Sequence, residues 1–133
     1  SEHEVRSWES AGSITWLGYR TDVPALLASS NIVCLPSYRE GLPKSLIEAV
    51  ACGRPVVTTD VPGCREVVSH GVNGFLVQPR DSHALAEALM NLISDKSLRE
   101  RMGRLGRERA EKEFSSEIII GQTLRVYESM LKK

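Results

Sequence analysis

Short apolar runs alternate with segments of helical periodicity along the first 80 positions of this chain. The runs at residues 13–18, 31–35, 55–59 and 75–77 are short, rich in β-branched residues or bounded by glycine and proline, and predict strands. Roughly 20 residues separate one run from the next, which is enough for an intervening helix. The alternation therefore predicts an α/β fold with a parallel sheet, in which ligands bind beyond the carboxyl ends of the strands.

Helix signals fill the segments between and after these strands. Asp22 and Asp81 are suited to cap helices, and Gly53 is suited to end one. The last third is predicted to be wholly helical, with residues 95–113 forming a surface helix. The predicted helices cover residues 22–29, 42–52, 64–69, 81–93 (with an apolar stripe of Leu85, Ala88, Leu89, Leu92 and Ile93), 95–113 and 115 onward.

Composition excludes several classes of protein. The 133 residues fit one domain, and 17 basic and 17 acidic side chains cancel, so no net charge favours nucleic acid. No apolar run is long enough to span a membrane, and the polar N-terminus is unlike a signal peptide. The apolar surroundings of Cys34 and Cys52 predict buried, reduced thiols, and hence the cytoplasm. The three histidines show no metal-ligand spacing, so no metal is expected.

The stretch EGLPKSLIE places two carboxylates, Glu40 and Glu48, around a predicted helix start. Pro43 fits the first helical position, and the amides that follow it have no partner within the helix. These amides and Lys44 could hold a phosphate or diphosphate, while Gly41 allows close approach of the backbone. Glu48, further along the helix, could accept hydrogen bonds from a ribose diol.

Two other readings of these acids remain open on pattern alone. Glu40 could simply be favourable charge near a helix start, and Glu48 an exposed residue paired with Lys44 four positions earlier. Two carboxylates also suit the acid and base or nucleophile roles of glycoside hydrolysis. No aromatic sugar platform supports that second reading.

A longer motif set resembles the C-terminal domain of retaining GT-B glycosyltransferases of the family-four group. It comprises Pro36-Ser37 ending a strand, E-x7-E (Glu40 and Glu48), E-A-x-A-x-G-x-P-V-V from Glu48, P-G-x-x-E-x-V from Pro62 and N-G-x-L-V-x-x-x-D from Asn73. The resemblance runs from about residue 13 to the end. It implies a Rossmann-like sheet with flanking helices, in a partial nucleotide-sugar-binding domain with strands and helices over 13–80 and helices over 81–133.

The resemblance also implies site roles. Glu40, the catalytic candidate, would contact the transferred sugar without acting as a nucleophile, and Glu48 would bind the donor ribose. Retention would follow same-face attack, with catalysis arising from positioning and stabilisation of the diphosphate. The implied donor-binding residues near sugar, diphosphate and base are Gly41, Leu42, Pro43, Lys44, Ser45, Pro36, Tyr19 and Arg20. No cofactor or metal is implied; the nucleotide-sugar, most commonly a UDP-sugar, is a substrate.

The chain is short for this family, which places the acceptor in a separate N-terminal domain. A basic G-R-x-x-x-x-K-G loop normally precedes the region matched here. We therefore expect part of a longer transferase acting on a polysaccharide or lipid-linked acceptor, inactive alone, with peripheral membrane association through the missing domain. A nucleotide-sugar-binding module without transfer activity and a sugar-nucleotide epimerase of the same fold are the alternatives.

Overall fold

The computed structural model describes residues 2–12, 14–15, 17–18, 20–36 and 44–113. Within them lie six helices and three strands. In chain order they are α1 (Glu2–Ser10), α2 (Val23–Ser29), β1 (Val33–Leu35), α3 (Lys44–Ala51), β2 (Val56–Thr59), α4 (Pro62–Val67), β3 (Gly74–Val77), α5 (Ser82–Ile93) and α6 (Lys96–Glu113). The predicted last helix, from residue 115, lies outside the described residues.

The three strands form a parallel sheet in the order β1-β2-β3. Cys34 lies opposite Val57, and Thr58 lies opposite Leu76. All four residues of the central strand β2 are buried. Val56 belongs to a core cluster with α3 and α4, and its neighbour Val57 to a second cluster with α5. Because successive strand residues face opposite sides, helices cover both faces of the sheet, as the apolar run predicted.

Local signals place the ends of two helices. The Asp81 carboxylate accepts a hydrogen bond from the Ala84 amide at 2.9 Å and caps α5, as expected. Gly53 adopts φ 71° just after α3, a conformation that costs little only for glycine, and its amide donates to the Val50 carbonyl at 3.0 Å. The start of β2 and the end of α3 are therefore fixed by the same turn.

The sequence predicted a surface helix over residues 95–113. The observed helix α6 also contributes residues to the core. Its small residues Gly103, Gly106 and Ala110 are buried, together with Met102. A Cβ atom at Gly103 would lie 2.1 Å from the Gly53 carbonyl oxygen. The missing side chain lets α6 pack on the C-terminal end of α3, and the α6 side chain Arg107 also reaches inward to the Ala51 carbonyl at 2.6 Å.

Three further expectations are wrong: a strand at residues 13–18, a buried Cys34 and an apolar stripe on α5 that extends to Ile93. Ile14, Thr15, Leu17 and Gly18, the described part of residues 13–18, are not in a strand. A strand is held by hydrogen bonds to a neighbour, and in the described sheet only β1, β2 and β3 are paired. Apolar composition alone therefore could not make this segment a strand.

Cys34 is exposed, whereas Cys52 is buried as expected. Val33 and Leu35 pack against one core cluster, whereas Cys34 between them is exposed. Ile93, at the end of the predicted α5 stripe, is 58% exposed. It is the last residue of α5. The helix α1 was not predicted, because its sequence is mostly polar.

Candidate functional site

The carboxyl ends of the three strands meet at one edge of the sheet, beside a cavity of about 470 Å³. Pro36 follows β1, while Thr59 and Val77 end β2 and β3. In a parallel α/β sheet this edge is where ligands bind. The remaining described residues that line the cavity are Gln78, Arg80, Asp81, Ser82 and Leu85.

The helix α3 begins at this same side of the sheet, since it follows β1 in a parallel arrangement. Lys44 and Ser45 are exposed in its first turn. Glu48 lies one turn further along and is only 9% exposed. Its Oε1 atom is 3.7 Å from the Lys44 ammonium, whose side chain is 69% exposed. The structure thus brings together three of the predicted donor-binding residues on one helix.

The burial of Glu48 decides between two of the readings of the sequence. An ion pair between an exposed carboxylate and Lys44 would contribute little to the free energy of unfolding. In the described part of the chain, the Lys44 contact is the polar interaction of this carboxylate, and it is longer than a hydrogen bond. Removing a carboxylate from water costs free energy unless a partner compensates, and Lys44 is the partner found among the described residues. The expectation of an exposed Glu48 is therefore wrong, whereas its pairing with Lys44 four positions earlier is present.

The polar contacts of Arg20 are with Asp22 and not with α3. Its guanidinium forms a two-pronged ion pair with Asp22, at 2.7 and 2.5 Å. Hydrogen bonding to Asp22 raises the pKa of Arg20, and the same contact lowers the pKa of the Asp22 carboxyl. The structure records no polar contact between Arg20 and α3. Tyr19, Glu40, Gly41, Leu42 and Pro43 lie outside the described residues.

Two side chains of the segment after β3, Gln78 and Arg80, were not predicted from the sequence to lie at a cavity. Gln78 and Arg80 line the cavity, and the Gln78 amide lies 3.5 Å from Asp60, directly after β2. Arg80 has φ 62°, in the left-handed region. A signal was present: this polar segment directly follows the carboxyl end of a strand. Of the residues in this segment, the sequence pattern indicated a role only for Asp81, as a helix cap.

The thiol of Cys52, just after α3, has a perturbed pKa. Burial raises the pKa of the Cys52 thiol to about 11, with the negative charge of Glu48 adding to the shift.

Among the described residues, no group of three or more histidine, cysteine and acidic side chains could hold a metal ion. No helix in the described ranges has the length and apolarity needed to cross a bilayer.

A parallel sheet covered by helices on both faces, with a polar helix start and a cavity at the carboxyl ends of its strands, defines a Rossmann-like ligand-binding domain. Comparison with known proteins makes this assignment specific. Residues 2–109 match the family described as Glycosyl transferases group 1. The chain belongs to this family, and the predicted fold, that of a GT-B C-terminal domain, is confirmed.

Relatives with assigned names are similar over nearly all of this chain. The capsular polysaccharide biosynthesis glycosyltransferase CapM of Staphylococcus aureus is 37% identical over 121 residues, covering 91% of this chain and 32% of CapM. N-acetyl-alpha-D-glucosaminyl L-malate synthase of Bacillus anthracis is 35% identical over 128 residues, 96% of this chain and 34% of that protein. This chain spans about a third of the length of these relatives.

Solved structures show the same fold. Anabaena HepE in complex with UDP superimposes with a TM-score of 0.80 at 30% identity, over 96% of this chain and 36% of that chain. Sucrose-phosphate synthase from Thermosynechococcus elongatus gives a TM-score of 0.79 at 32% identity, over 98% of this chain and 33% of that chain.

Proposed function

We propose that this chain is the donor-binding part of a retaining glycosyltransferase that transfers a sugar from a nucleotide-sugar to a polysaccharide or lipid-linked acceptor. The observation that carries the proposal is the buried Glu48 carboxylate on a helix that starts at the carboxyl edge of the sheet. Membership in the group 1 family supports it. HepE, similar over nearly the whole chain, was crystallised with UDP and with UDP-glucose, which favours a UDP-sugar as donor.

Glu48 is the proposed ribose ligand. Its carboxylate is mostly buried, and the hydroxyls of a ribose diol would give it close hydrogen bonds that Lys44, at 3.7 Å, does not. Such hydrogen bonds to a charged group contribute about 1.5–3 kcal/mol each. The exposed ammonium of Lys44, one turn earlier, would meet the diphosphate together with the first-turn amides of Lys44 and Ser45.

Glu40 is the proposed contact to the transferred sugar, with Gly41, Leu42 and Pro43 completing the loop. No nucleophilic role is proposed for it. The donor would instead be held for same-face attack, and the charge that develops on the departing diphosphate would be stabilised by Lys44 and backbone amides. Pro36 would border the bound donor where β1 ends, and Tyr19 and Arg20 would lie near the base.

Acceptor binding is assigned to a separate N-terminal domain. The family relatives are about three times as long as this chain, which supports that division. By itself the chain would therefore bind the nucleotide-sugar without transferring it. Metal independence and membrane association through the other domain remain proposals of the same kind.

The decisive experiment separates ribose recognition from phosphate recognition. The full chain is titrated with uridine, UDP and UDP-glucose by calorimetry and by amide NMR. Glu48→Gln should weaken uridine and UDP alike, by roughly tenfold or more. Lys44→Gln should weaken UDP but leave uridine binding unchanged, because uridine has no phosphate.

Glu87→Gln is the matched control, since Glu87 is an exposed helical glutamate on α5 that pairs with His83. It should bind all three ligands as the wild type does. A Glu48→Gln protein that is folded and binds uridine with unchanged affinity would refute the proposed ribose contact. In the full-length transferase, Glu40→Gln should reduce turnover of UDP-glucose far more than affinity for UDP.

A further inference from the structure

A second cavity, of about 390 Å³, lies at the opposite edge of the sheet from the candidate donor site. Asn31, ahead of β1, and Pro55, ahead of β2, mark this amino-terminal edge. Pro55 is fully buried and forms part of the cavity wall, while the outer rim is exposed. The charged residues that line it are Arg54, Lys96, Arg99, Arg104, Arg107, Glu100 and Glu108. Five cations face two carboxylates in the lining, and Arg107 also pairs with Glu111 at 2.9 Å, so the cavity keeps a net positive charge.

Three of the arginines are held in place by helix ends. The guanidinium of Arg54 donates to the Ala28 carbonyl in the last turn of α2, at 2.5 Å. Arg107 donates to the Ala51 carbonyl at the end of α3, at 2.6 Å. Arg99 donates to the last two carbonyls of α5, at 2.7 and 2.8 Å. Because these carbonyls carry the negative ends of three helix dipoles, the contacts neutralise them and fix the guanidinium groups.

Capping does not account for all of the positive charge. The Nε atom of Arg54 is buried and has no hydrogen-bond acceptor among the described residues. Arg104 is exposed at the rim, and no hydrogen bond or ion pair is recorded for it in the described part of the chain. Lys96 reaches Glu100 only at 3.9 Å. Because the Nε atom of Arg54 is closed to solvent, the positive charge that a ligand in the cavity could reach includes Arg104 and Lys96 instead.

We propose that this cavity is a second ligand site that binds a small soluble molecule bearing one or two phosphate groups. Fixed guanidinium groups suit phosphate oxygens because their planar N–H donors match them in pairs. The volume fits a ligand of the size of a diphosphate or a sugar phosphate. Glu108 and Glu100 at the rim oppose a long polyanion, so a compact ligand is favoured over nucleic acid. The site is separate from the proposed donor site and does not depend on it.

Inorganic phosphate and inorganic diphosphate are the probes. Each is titrated into the full chain at ionic strength held constant with sodium chloride, and amide NMR follows two sets of signals. Binding at the second site should shift the amides of Gly53 and Arg54. Binding at the candidate donor site would instead shift Lys44 and Ser45. Shifts confined to Lys44 and Ser45, or no shift at all, would overturn the proposal.

Variants test whether the cavity itself is responsible. Arg104→Gln should weaken diphosphate binding roughly tenfold, because it removes one charged partner. Arg101→Gln is the matched control, an exposed α6 arginine that does not line the cavity, and should bind as the wild type does. Glu108→Gln should strengthen binding by removing a repelling carboxylate. Equal affinities for Arg104→Gln and Arg101→Gln would overturn the assignment.

A phosphate group could also come from a lipid headgroup. Sedimentation with phosphatidylglycerol vesicles, against phosphatidylcholine vesicles, separates the two sources. Binding of free diphosphate with no preference for the anionic vesicles supports a soluble ligand. Vesicle binding that depends on Arg104, without binding of free phosphate or diphosphate, would overturn it in favour of a membrane surface.

Discussion

Replacement of Gly103 by alanine tests how α6 holds the helix that carries Glu48. The new Cβ atom would lie 2.1 Å from the Gly53 carbonyl oxygen, whereas ordinary contact begins at 3.4 Å. The obstacle is backbone and cannot rotate away, so α6 must move outward by about 1.3 Å to restore that contact. Such a movement would lengthen the hydrogen bond from Arg107 to Ala51, now 2.6 Å, beyond hydrogen-bonding length.

The magnitude follows from three effects. Overpacking costs about 1–3 kcal/mol, and loss of the Arg107 hydrogen bond about 1 kcal/mol more. Alanine is better than glycine inside a helix by about 1 kcal/mol, which offsets part of this cost. We therefore expect Gly103→Ala to lower the free energy of unfolding by about 1–3 kcal/mol, measured by urea denaturation with an unchanged denaturant slope.

Gly106→Ala is the matched control on the same helix. Its Cβ atom would meet the Asn73 and Val50 side chains at 3.2 Å, a tight contact that small side-chain shifts can relieve. The gain in helix propensity and the tight contact should nearly cancel. The reasoning is refuted if Gly103→Ala is as stable as the wild type, or if Gly106→Ala is the more destabilised of the two.

Three further predictions concern other parts of the structure. Asp81→Ala should lower the free energy of unfolding by about 1 kcal/mol through loss of the α5 cap, and Asp22→Ala should cost less because the Asp22 side chain makes no capping bond; equal losses in urea denaturation would contradict this. Cys52, with its pKa raised to about 11 by burial, should stay unmodified by a thiol reagent at neutral pH until the chain unfolds, whereas exposed Cys34 should react first; mass spectrometry of timed samples measures the order. The hydrogen bond from Arg20 lowers the pKa of Asp22, so its stabilising effect should be present above the ordinary carboxyl pKa and be lost only as the pH falls through the lowered value; an NMR titration midpoint at the ordinary value would argue against the pair.

Local signals in the sequence predicted local features well. The Asp81 cap, the glycine turn at Gly53 and the buried strand β2 were all predicted, because each depends on residues that are neighbours in the chain or on a continuous apolar run. The position of a strand end also predicted where a cavity would lie, since parallel strands align their carboxyl ends. The motif order predicted a GT-B glycosyltransferase domain, and the match to the Glycosyl transferases group 1 family confirms it at that level.

Features that depend on a distant partner could not be predicted in the same way. The segment at residues 13–18 has strand composition, yet strand formation needs a hydrogen-bonded neighbour, and none is paired with its described residues. The position of Cys34 in β1 gave no information on which side of the sheet would be covered. Gln78 and Arg80 enter the cavity only because β3 ends beside β2.

The sequence by itself determined the alternation of helices and strands from β1 to α6, the Asp81 cap and the parallel character of the sheet, because periodicity and short-range chemistry are written along the chain. Only the tertiary structure decided that Glu48 is buried, that α6 packs on α3 through Gly103, and that arginines from separate elements meet in one cavity. Burial and charge clustering arise from contacts between residues far apart in sequence, where no local pattern specifies the partner.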